Sequence, residues 1–555
     1  MVALSCNSSN FGTKPVSLTA IIIFVVVSSL CIADCSAYNV LLSVSGVSGS
    51  QTVFMYRMGE LFAEAGHTVT ILRHDYAEGM AKAPKLNKIA QELINSVRID
   101  KEEQKWLESM IGGARLDDSG ISTLETVRGY KKAFDTLVSG TCESLLDNSD
   151  IMTKLKKGNF DVFLLYLSDT CVLGVAHLLG IKSIIQVSTA FMIEFLAWYS
   201  GTPWPVAIVP TSLSTSSANM TFTERATNTL LYAAFNAVYI YVILPRHTAL
   251  FRKRFGPEFP AIADLSKQVQ LYYVNADPLL DFPRPKMPNT IFVGGFMMED
   301  QETKALSSEW EAITNSAASR EHGFIIFSLG SVVNTKYMPD STKMMYFNAF
   351  RRLKQQIIWR FEGNLSDAIG TNVHLTPWMP QADLLKHKNI KAFMTHAGFN
   401  SVLESAYAGV PLVMTPVFGD QMANVKRVER VGFGVLLDRQ QLSEDRIHDA
   451  LKTVIYDPKY QQSARRIKRM MELKPNSNKH NCLKWMEFLA EFKTIPNYDP
   501  SHIHELYLFQ YFLLDVVAVF VAVILVWLIV WWKIIRWCCC KSHAGIEYGG
   551  TKKDQ

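Results

Sequence analysis

The stretch Ala392-Phe393-Met394-Thr395-His396-Ala397-Gly398-Phe399-Asn400-Ser401-Val402 decides the fold. Its first four residues read as a buried strand, and from Val402 onward the pattern turns helical. A strand running through so short a polar turn into a helix is the repeating unit of a parallel α/β sheet. The helix tip presents unpaired N–H groups and partial positive charge, which suit a diphosphate. Gly398 permits close backbone approach, Asn400 or Ser401 can cap the helix and donate to phosphate, and His396 adds a further donor. Glu404, one turn along the same face, is placed to accept from a ribose diol.

The flanks extend this chemistry. Upstream, Trp378 offers a plate on which a base can stack, with Gln381 as a polar edge beside it. Downstream, Asp420-Gln421 follows another strand and Pro416, and an acceptor beside an amide can read several sugar hydroxyls. Taken singly, a histidine at a strand end is ordinarily structural, and Asn-Ser before a helix is ordinarily a cap. The ordered set carries the information.

Further out, continuous apolar runs recur: Asn39 to Val44, Thr68 to Leu72, Asp161 to Leu165, Ser183 to Val187, Phe324 to Leu329, Ile357 to Phe361 and Leu412 to Thr415. Helical stretches such as Phe54 to Ala65 and Asp340 to Gln355 separate them, so the strands belong to parallel sheets covered on both faces. The pattern pauses at Asp281-Phe282-Pro283-Arg284-Pro285-Lys286-Met287-Pro288, a proline-rich linker. The expected organisation is an N-terminal Rossmann-like domain over 38–280, a linker over 281–289, a second such domain over 290–475, and a returning helix and stalk over 476–505. Leu230 to Leu244 is nearly all apolar yet too short to span a bilayer. It reads as a buried helix or, alternatively, as a surface resting on the lumenal leaflet.

The ends carry addresses. Lys14 precedes the apolar run Leu18 to Leu30, and small residues at Cys35, Ser36 and Ala37 fit removal of residues 1–37 as a signal peptide. Val516 to Trp532 carries no charge and rises about 25 Å as a helix. Including Phe509 to Leu514 gives a transmembrane helix over 509–532. Trp531 and Trp532 form an aromatic belt followed by Lys533, Arg536 and Lys541, which places residues 533–555 in the cytoplasm and the rest in the lumen. Lys552-Lys553 resembles a dilysine retrieval signal of the endoplasmic reticulum. Asn219-Met220-Thr221 and Asn364-Leu365-Ser366 are sequons for N-glycosylation.

Composition closes off other classes. The 555 residues are 48% apolar and 19% charged with a formal charge of +5. That leaves no basic run for a nucleic acid and ample material for large cores. The three lumenal cysteines, Cys142, Cys171 and Cys482, are too few for a disulfide framework, so stability is expected to come from the cores. No Asp-x-Asp occurs, consistent with a metal-free site, and no resident cofactor is expected.

Trp378-x-Pro380-Gln381, Leu384-Leu385-x-His387, Thr395-His396-x-Gly398-x-Asn400-Ser401-x-x-Glu404, Gly409-Val410-Pro411 and Asp420-Gln421-x-x-Asn424 closely resemble the signature of the UDP-glycosyltransferases, in the membrane-bound animal glucuronosyltransferase-like branch. Phe327-Ser328-Leu329-Gly330-Ser331, Trp359-Arg360-Phe361 and Gly66-His67-x-Val69-Thr70 extend it over nearly the whole chain. The resemblance implies a GT-B fold, two Rossmann-like domains facing a cleft. It implies Ser331, His396, Gly398, Asn400 and Ser401 at the diphosphate, with Arg360, Trp378 and Gln381 around uracil. Glu404 would then hold the ribose, and Asp420 with Gln421 the sugar. It implies an inverting transfer of glucuronate or glucose from UDP-glucuronate or UDP-glucose to a small hydrophobic acceptor.

One departure stands out. The family's catalytic histidine lies sixteen residues before the histidine of the Gly-His-x-Val-Thr strand, and here that position is Gln51. The carboxylate that orients it lies five residues after a Phe-Asp pair, and here that position is Tyr166, with Asp169 three residues on. Glutamine cannot accept a proton near neutral pH. Gln51 and Asp169 are therefore altered catalytic slots, and the alternative function is a UDP-sugar-binding pseudoenzyme acting as a subunit in a homo- or hetero-oligomer.

Overall fold

The architecture follows from where apolar strands can hide both faces. The computed structural model describes residues 37–543 apart from 77–83, 85–87, 98, 101–130, 133, 168, 301–303, 331, 332, 334, 364–367, 369, 501, 502 and 504. The expected signal peptide, Ser331, Asn364 and Lys552-Lys553 lie outside the described residues, apart from Ala37, the last residue of that peptide.

The first sheet contains β1 (Asn39–Ser45), β2 (Thr68–Asp75), β3 (Gln91–Ser96), β4 (Val162–Tyr166), β5 (Ile184–Ser188), β6 (Leu271–Val274) and β7 (Thr290–Phe292). The second contains β8 (Phe324–Ser328), β9 (Gln356–Arg360), β10 (Val373–Thr376), β11 (Ile390–Thr395), β12 (Leu412–Met414) and β13 (Gly434–Leu436). The spatial orders are β3-β2-β1-β4-β5-β6-β7 and β10-β9-β8-β11-β12-β13, and every pairing is parallel. Alternate residues of β1 enter different cores: Leu41 packs into one, Val40, Leu42 and Val44 into the other. Both faces are therefore dry, which is why the strand is apolar throughout rather than alternating.

Six helices frame the cleft and the two ends of the molecule: α1 (Gly49–Glu64), α2 (Phe222–Val238), α3 (Phe399–Ala408), α4 (Gln421–Val431), α5 (Asn478–Phe492) and α6 (Leu514–His543). Phe54, Met58 and Phe62 of α1 cover one face of the first sheet beside Met486 and Leu489 of α5. The chain thus returns from the second half to complete the core of the first. Another core runs across both halves without a break, from Phe191 and Ala276 to Phe399 and Ala423.

Several expectations are corrected. The proline-rich segment is not where the chain leaves the first sheet, because β7 follows it and pairs with β6, Tyr272 against Thr290. Prolines there end one strand connection without ending the domain. Cys142 and Cys171 form a disulfide, their Cα atoms 5.5 Å apart, while Cys482 stays free and buried. The apolar helix ending the chain starts at Leu514 rather than Phe509, because Leu513 takes a left-handed φ of 55° that breaks the run. Leu230 to Leu244 is not a buried helix. It spans the end of α2 and a π turn at Tyr239–Ile243, with Leu230 72% and Tyr241 77% exposed. Only one side is held down, by Asn228 and Asn236 of α2 and by Tyr239 stacked on Phe195 at 3.9 Å.

Candidate functional site

In each sheet the strand order reverses once, between β1 and β4 and between β8 and β11. Ligands of open α/β sheets bind at the carboxyl ends of strands at such reversals. The two reversals meet: Asn400, at the start of α3, donates through Nδ2 to the Ser50 carbonyl at the start of α1, 3.4 Å away. Its Oδ1 accepts from Asn275 Nδ2 at 2.8 Å, just after β6. Asn275 was not legible in the sequence, since no local motif marks it.

The turn from β11 into α3 is tight enough that Ala397 adopts a left-handed φ of 64°. Such a conformation in a residue with a side chain persists only where its surroundings enforce it, often at a site. Gly398 is the N-cap of α3, no side chain caps the free N–H groups, and no acidic residue stands in the first turn. Neither Asn400 nor Ser401 acts as a cap, contrary to expectation. The Asn400 amide is drawn across the cleft, and Ser401 Oγ accepts from Gln381 Nε2 at 3.4 Å. The helix tip is left open to an anion.

His396 lies between two glycines. A Cβ at Gly330 would come within 2.4 Å of its Cε1, and one at Gly398 within 2.4 Å of its Nε2. Burial, with the Arg360 guanidinium adding to it, lowers the imidazole pKa to about 4. His396 is thus a neutral donor at physiological pH. Arg360 donates to the Gly330 and Pro377 carbonyls and lies 5.5 Å from the Trp378 ring centre, while Trp378 itself is 70% exposed and offers a free ring face.

Gln381 and Glu404 hydrogen-bond directly, although the sequence reading gave them separate tasks. Burial pushes the Glu404 carboxyl up to about 7, with the Gln381 amide pulling the other way. Burial also raises Asp420, whose Oδ2 accepts from Asn424 Nδ2 at 3.0 Å. Gln421 Oε1 accepts from the Val417 and Phe418 amides at 2.6 and 3.0 Å, so its oxygen holds the loop and its amide nitrogen is the group left for a ligand.

Across the cleft, Gln51 and Tyr166 are found together. Tyr166 Oη lies 2.7 Å from Gln51 Oε1. Asp169 takes a different partner: its Oδ2 accepts from Ser43 Oγ at 2.6 Å and lies 2.9 Å from His74 Nε2. Burial would raise this carboxyl, but His74 and Ser43 hold it below the ordinary range. His74, which sequence reading missed, lines a cavity of about 20 Å³ with Tyr76, Tyr166, Asp169 and His247. That volume holds about one water molecule.

Asn219 is exposed at the surface, and its sequon threonine, Thr221, caps α2 in a capping box with Glu224.

Residues 39–547 match the family described as UDP-glucoronosyl and UDP-glucosyl transferase. The chain is 31% identical over 474 residues to the 2-hydroxyacylsphingosine 1-beta-galactosyltransferase of Mus musculus, covering 84% of this chain and 82% of that one. It is 35% identical over 396 residues to UDP-glucuronosyltransferase 1A1 of Homo sapiens, covering 71% and 72%. Among solved structures, Os79 from O. sativa in complex with U2F and trichothecene shares the fold, with a TM-score of 0.55 at 17% identity over 81% of this chain and 99% of that one. With its two facing parallel sheets and its open helix tip at Gly398, the chain belongs to the UDP-glycosyltransferase family.

Proposed function

We propose that this protein transfers a hexosyl group, glucuronate or glucose, from its UDP-sugar to a small lipophilic acceptor with inversion at the anomeric carbon. The observation that carries this reading is the uncapped tip of α3, flanked by neutral His396 and by Asn400. Fixed donors aimed at the β-phosphate stabilise the negative charge that grows on departing UDP, and they need no reorganisation during the step. In this reading Ser331, Gly398 and Ser401 complete the diphosphate cradle, and Trp378 with Arg360 and Gln381 flanks uracil. Glu404 takes the ribose, and Asp420 with the Gln421 amide reads the sugar.

A second reading is favoured by one feature, Gln51 in the slot of the general base: a UDP-sugar-binding subunit without turnover. Product identification separates the two. The full-length protein is given UDP-glucose or UDP-glucuronate with a panel of phenols, alcohols, carboxylic acids and amines, and conjugates are sought by mass spectrometry. Conjugates with inverted anomeric configuration support the transferase. Heat on UDP titration with no conjugate from any acceptor supports the second reading.

The same proposal places the protein in the endoplasmic-reticulum membrane as a single-pass type I protein. Support comes from α6, whose window Leu514–Cys538 has a mean hydropathy of 2.8. Trp198, in the segment that packs on α2, lies 6.3 Å from Tyr511 just before α6. The exposed apolar side around Leu230 and Tyr241 then rests on the lumenal leaflet.

A further inference from the structure

Gln51 stands in the first turn of α1, and Tyr166 ends β4. Tyr166 Oη donates to Gln51 Oε1 at 2.7 Å, a contact that holds the amide. Its oxygen is turned to Tyr166, which leaves Nε2 as the group free to donate to a ligand. Ser48, the N-cap of α1, makes no side-chain cap, and no acidic residue lies in the first turn. The acceptor side of the cleft therefore presents hydrogen-bond donors where a general base would present a lone pair.

The charged and titratable neighbours do not restore a base. Asp169 is occupied by Ser43 and His74. His74 Nδ1 faces Asn95 Nδ2 at 3.0 Å, and its Nε2 lies against the Asp169 carboxylate. His247 is held between Thr170 Oγ1 at 2.6 Å and the Val138 carbonyl at 2.9 Å, and burial lowers its pKa. Tyr76 bonds Thr141, and burial raises its pKa to about 12.

Resting on the transferase reading, we infer that Gln51 Nε2, oriented by Tyr166, selects acceptors whose nucleophilic oxygen is already ionised: carboxylates and acidic phenols. The step then needs no proton removal. A lone pair of the acceptor oxygen forms the bond to the anomeric carbon, the bond from that carbon to the β-phosphate oxygen breaks, and its electron pair leaves with UDP. The acceptor's negative charge passes to UDP. An alcohol would have to lose its proton with nothing to receive it, and an ammonium would meet N–H donors.

The test uses the full-length protein in detergent with either UDP-sugar and three matched acceptors: 2-naphthoic acid, 2-naphthylmethanol and 2-naphthylmethylamine. A phenol series spanning both sides of pH 7 in acidity is run alongside. The expected result is a kcat/KM at least 100-fold higher for the acid than for the alcohol or amine, with phenol rates following the ionised fraction. Gln51→Glu, which puts a carboxylate at the same place, should abolish the preference for the acid while UDP affinity stays within twofold. Tyr166→Phe, which frees the amide to rotate, should raise KM for the acid more than it lowers kcat. Faster transfer to the alcohol or amine overturns this inference and leaves the transferase reading standing. UDP binding with no product from any acceptor overturns both.

Discussion

Asp281 Oδ1 accepts from Arg427 Nε at 2.9 Å where the two halves meet, and neither side chain is exposed. The guanidinium also lies 3.6 Å from the Phe191 ring centre and 4.9 Å from that of Phe282. Arg284 approaches the other carboxylate oxygen at 3.2 Å and stacks over Trp204 at 4.5 Å. Burial would raise the Asp281 pKa, but the two arginines hold it below its ordinary value. Such a depressed carboxyl stabilises the fold above its unfolded pKa, and that contribution is lost as pH falls through the lower, folded value.

Removing Arg427 leaves Asp281 buried and opposed by Arg284 alone. Breaking a buried pair typically costs ~3–5 kcal/mol. Arg427→Met should therefore lower the unfolding temperature clearly at pH 7. Arg427→Lys should recover little, because an ammonium cannot lie flat between two rings. Thermal unfolding of both variants checks this. Equal stability of Arg427→Met and the parent would show that the pair contributes nothing at the seam.

The place of His396 between two glycines leads to a cleaner test of the donor site. Gly398 has an ordinary φ of −59°, so alanine there brings no backbone strain, only a Cβ that must push the imidazole aside. Gly398→Ala should keep the fold and lose at least tenfold in UDP affinity by calorimetry. Gly330→Ala should do the same and also destabilise the protein, since Gly330 has a φ of +78°. Unchanged UDP affinity in Gly398→Ala would remove His396 from the diphosphate site.

Glu404 supplies a pH prediction with a definite sign. Its pKa of about 7 lies above that of an unfolded glutamate, so the folded protein holds this proton more tightly. The stability it contributes is full below the unfolded value near 4.5 and falls as pH rises through about 7. Glu404→Gln should raise the unfolding free energy of the unliganded protein above pH 7 by an amount on the order of 1–3 kcal/mol, read by denaturant titration. In the proposed reading Glu404 accepts from the ribose hydroxyls, and a carboxylate accepts more strongly than a neutral carboxyl, so uridine affinity should increase through pH 7 in the parent and stay flat in Glu404→Gln. Uridine is the ligand of choice because it carries no phosphate that titrates in the same range.

Most internal strands were readable, whereas the edge strands and the four-residue internal strand β6 were not. β1, β2, β4, β5, β8, β9, β11 and β12 coincide with apolar runs because both their faces are buried. β3 reads Gln91-Glu92-Leu93-Ile94-Asn95-Ser96, with every second residue exposed at the sheet edge, and has no such run. The motif residues of the second half were legible because a turn and a helix tip are local structures. Asn275 to Asn400, Asp281 to Arg427 and Cys142 to Cys171 were not, because topology alone brings each pair together. Register counting reached Gln51 and Tyr166 separately, and the fold brings the two side chains into direct hydrogen-bond contact.

That contact gives the last prediction. Gln51→His places an imidazole where Tyr166 can hydrogen-bond one ring nitrogen, leaving the other toward the cleft. A positioned base contributes about 10²–10⁴-fold when fully oriented. A phenol orients a ring less firmly than a carboxylate and does not stabilise imidazolium, so only part of that factor should appear. Turnover of 2-naphthylmethanol should rise at least tenfold, and Tyr166→Asp added to Gln51→His should raise it further. UDP affinity should stay constant in both variants, because neither residue belongs to the donor side. A bell-free rise of the alcohol rate with pH through the histidine range would identify the new base. No gain in the double variant would mean that the acceptor oxygen does not approach α1 at Gln51.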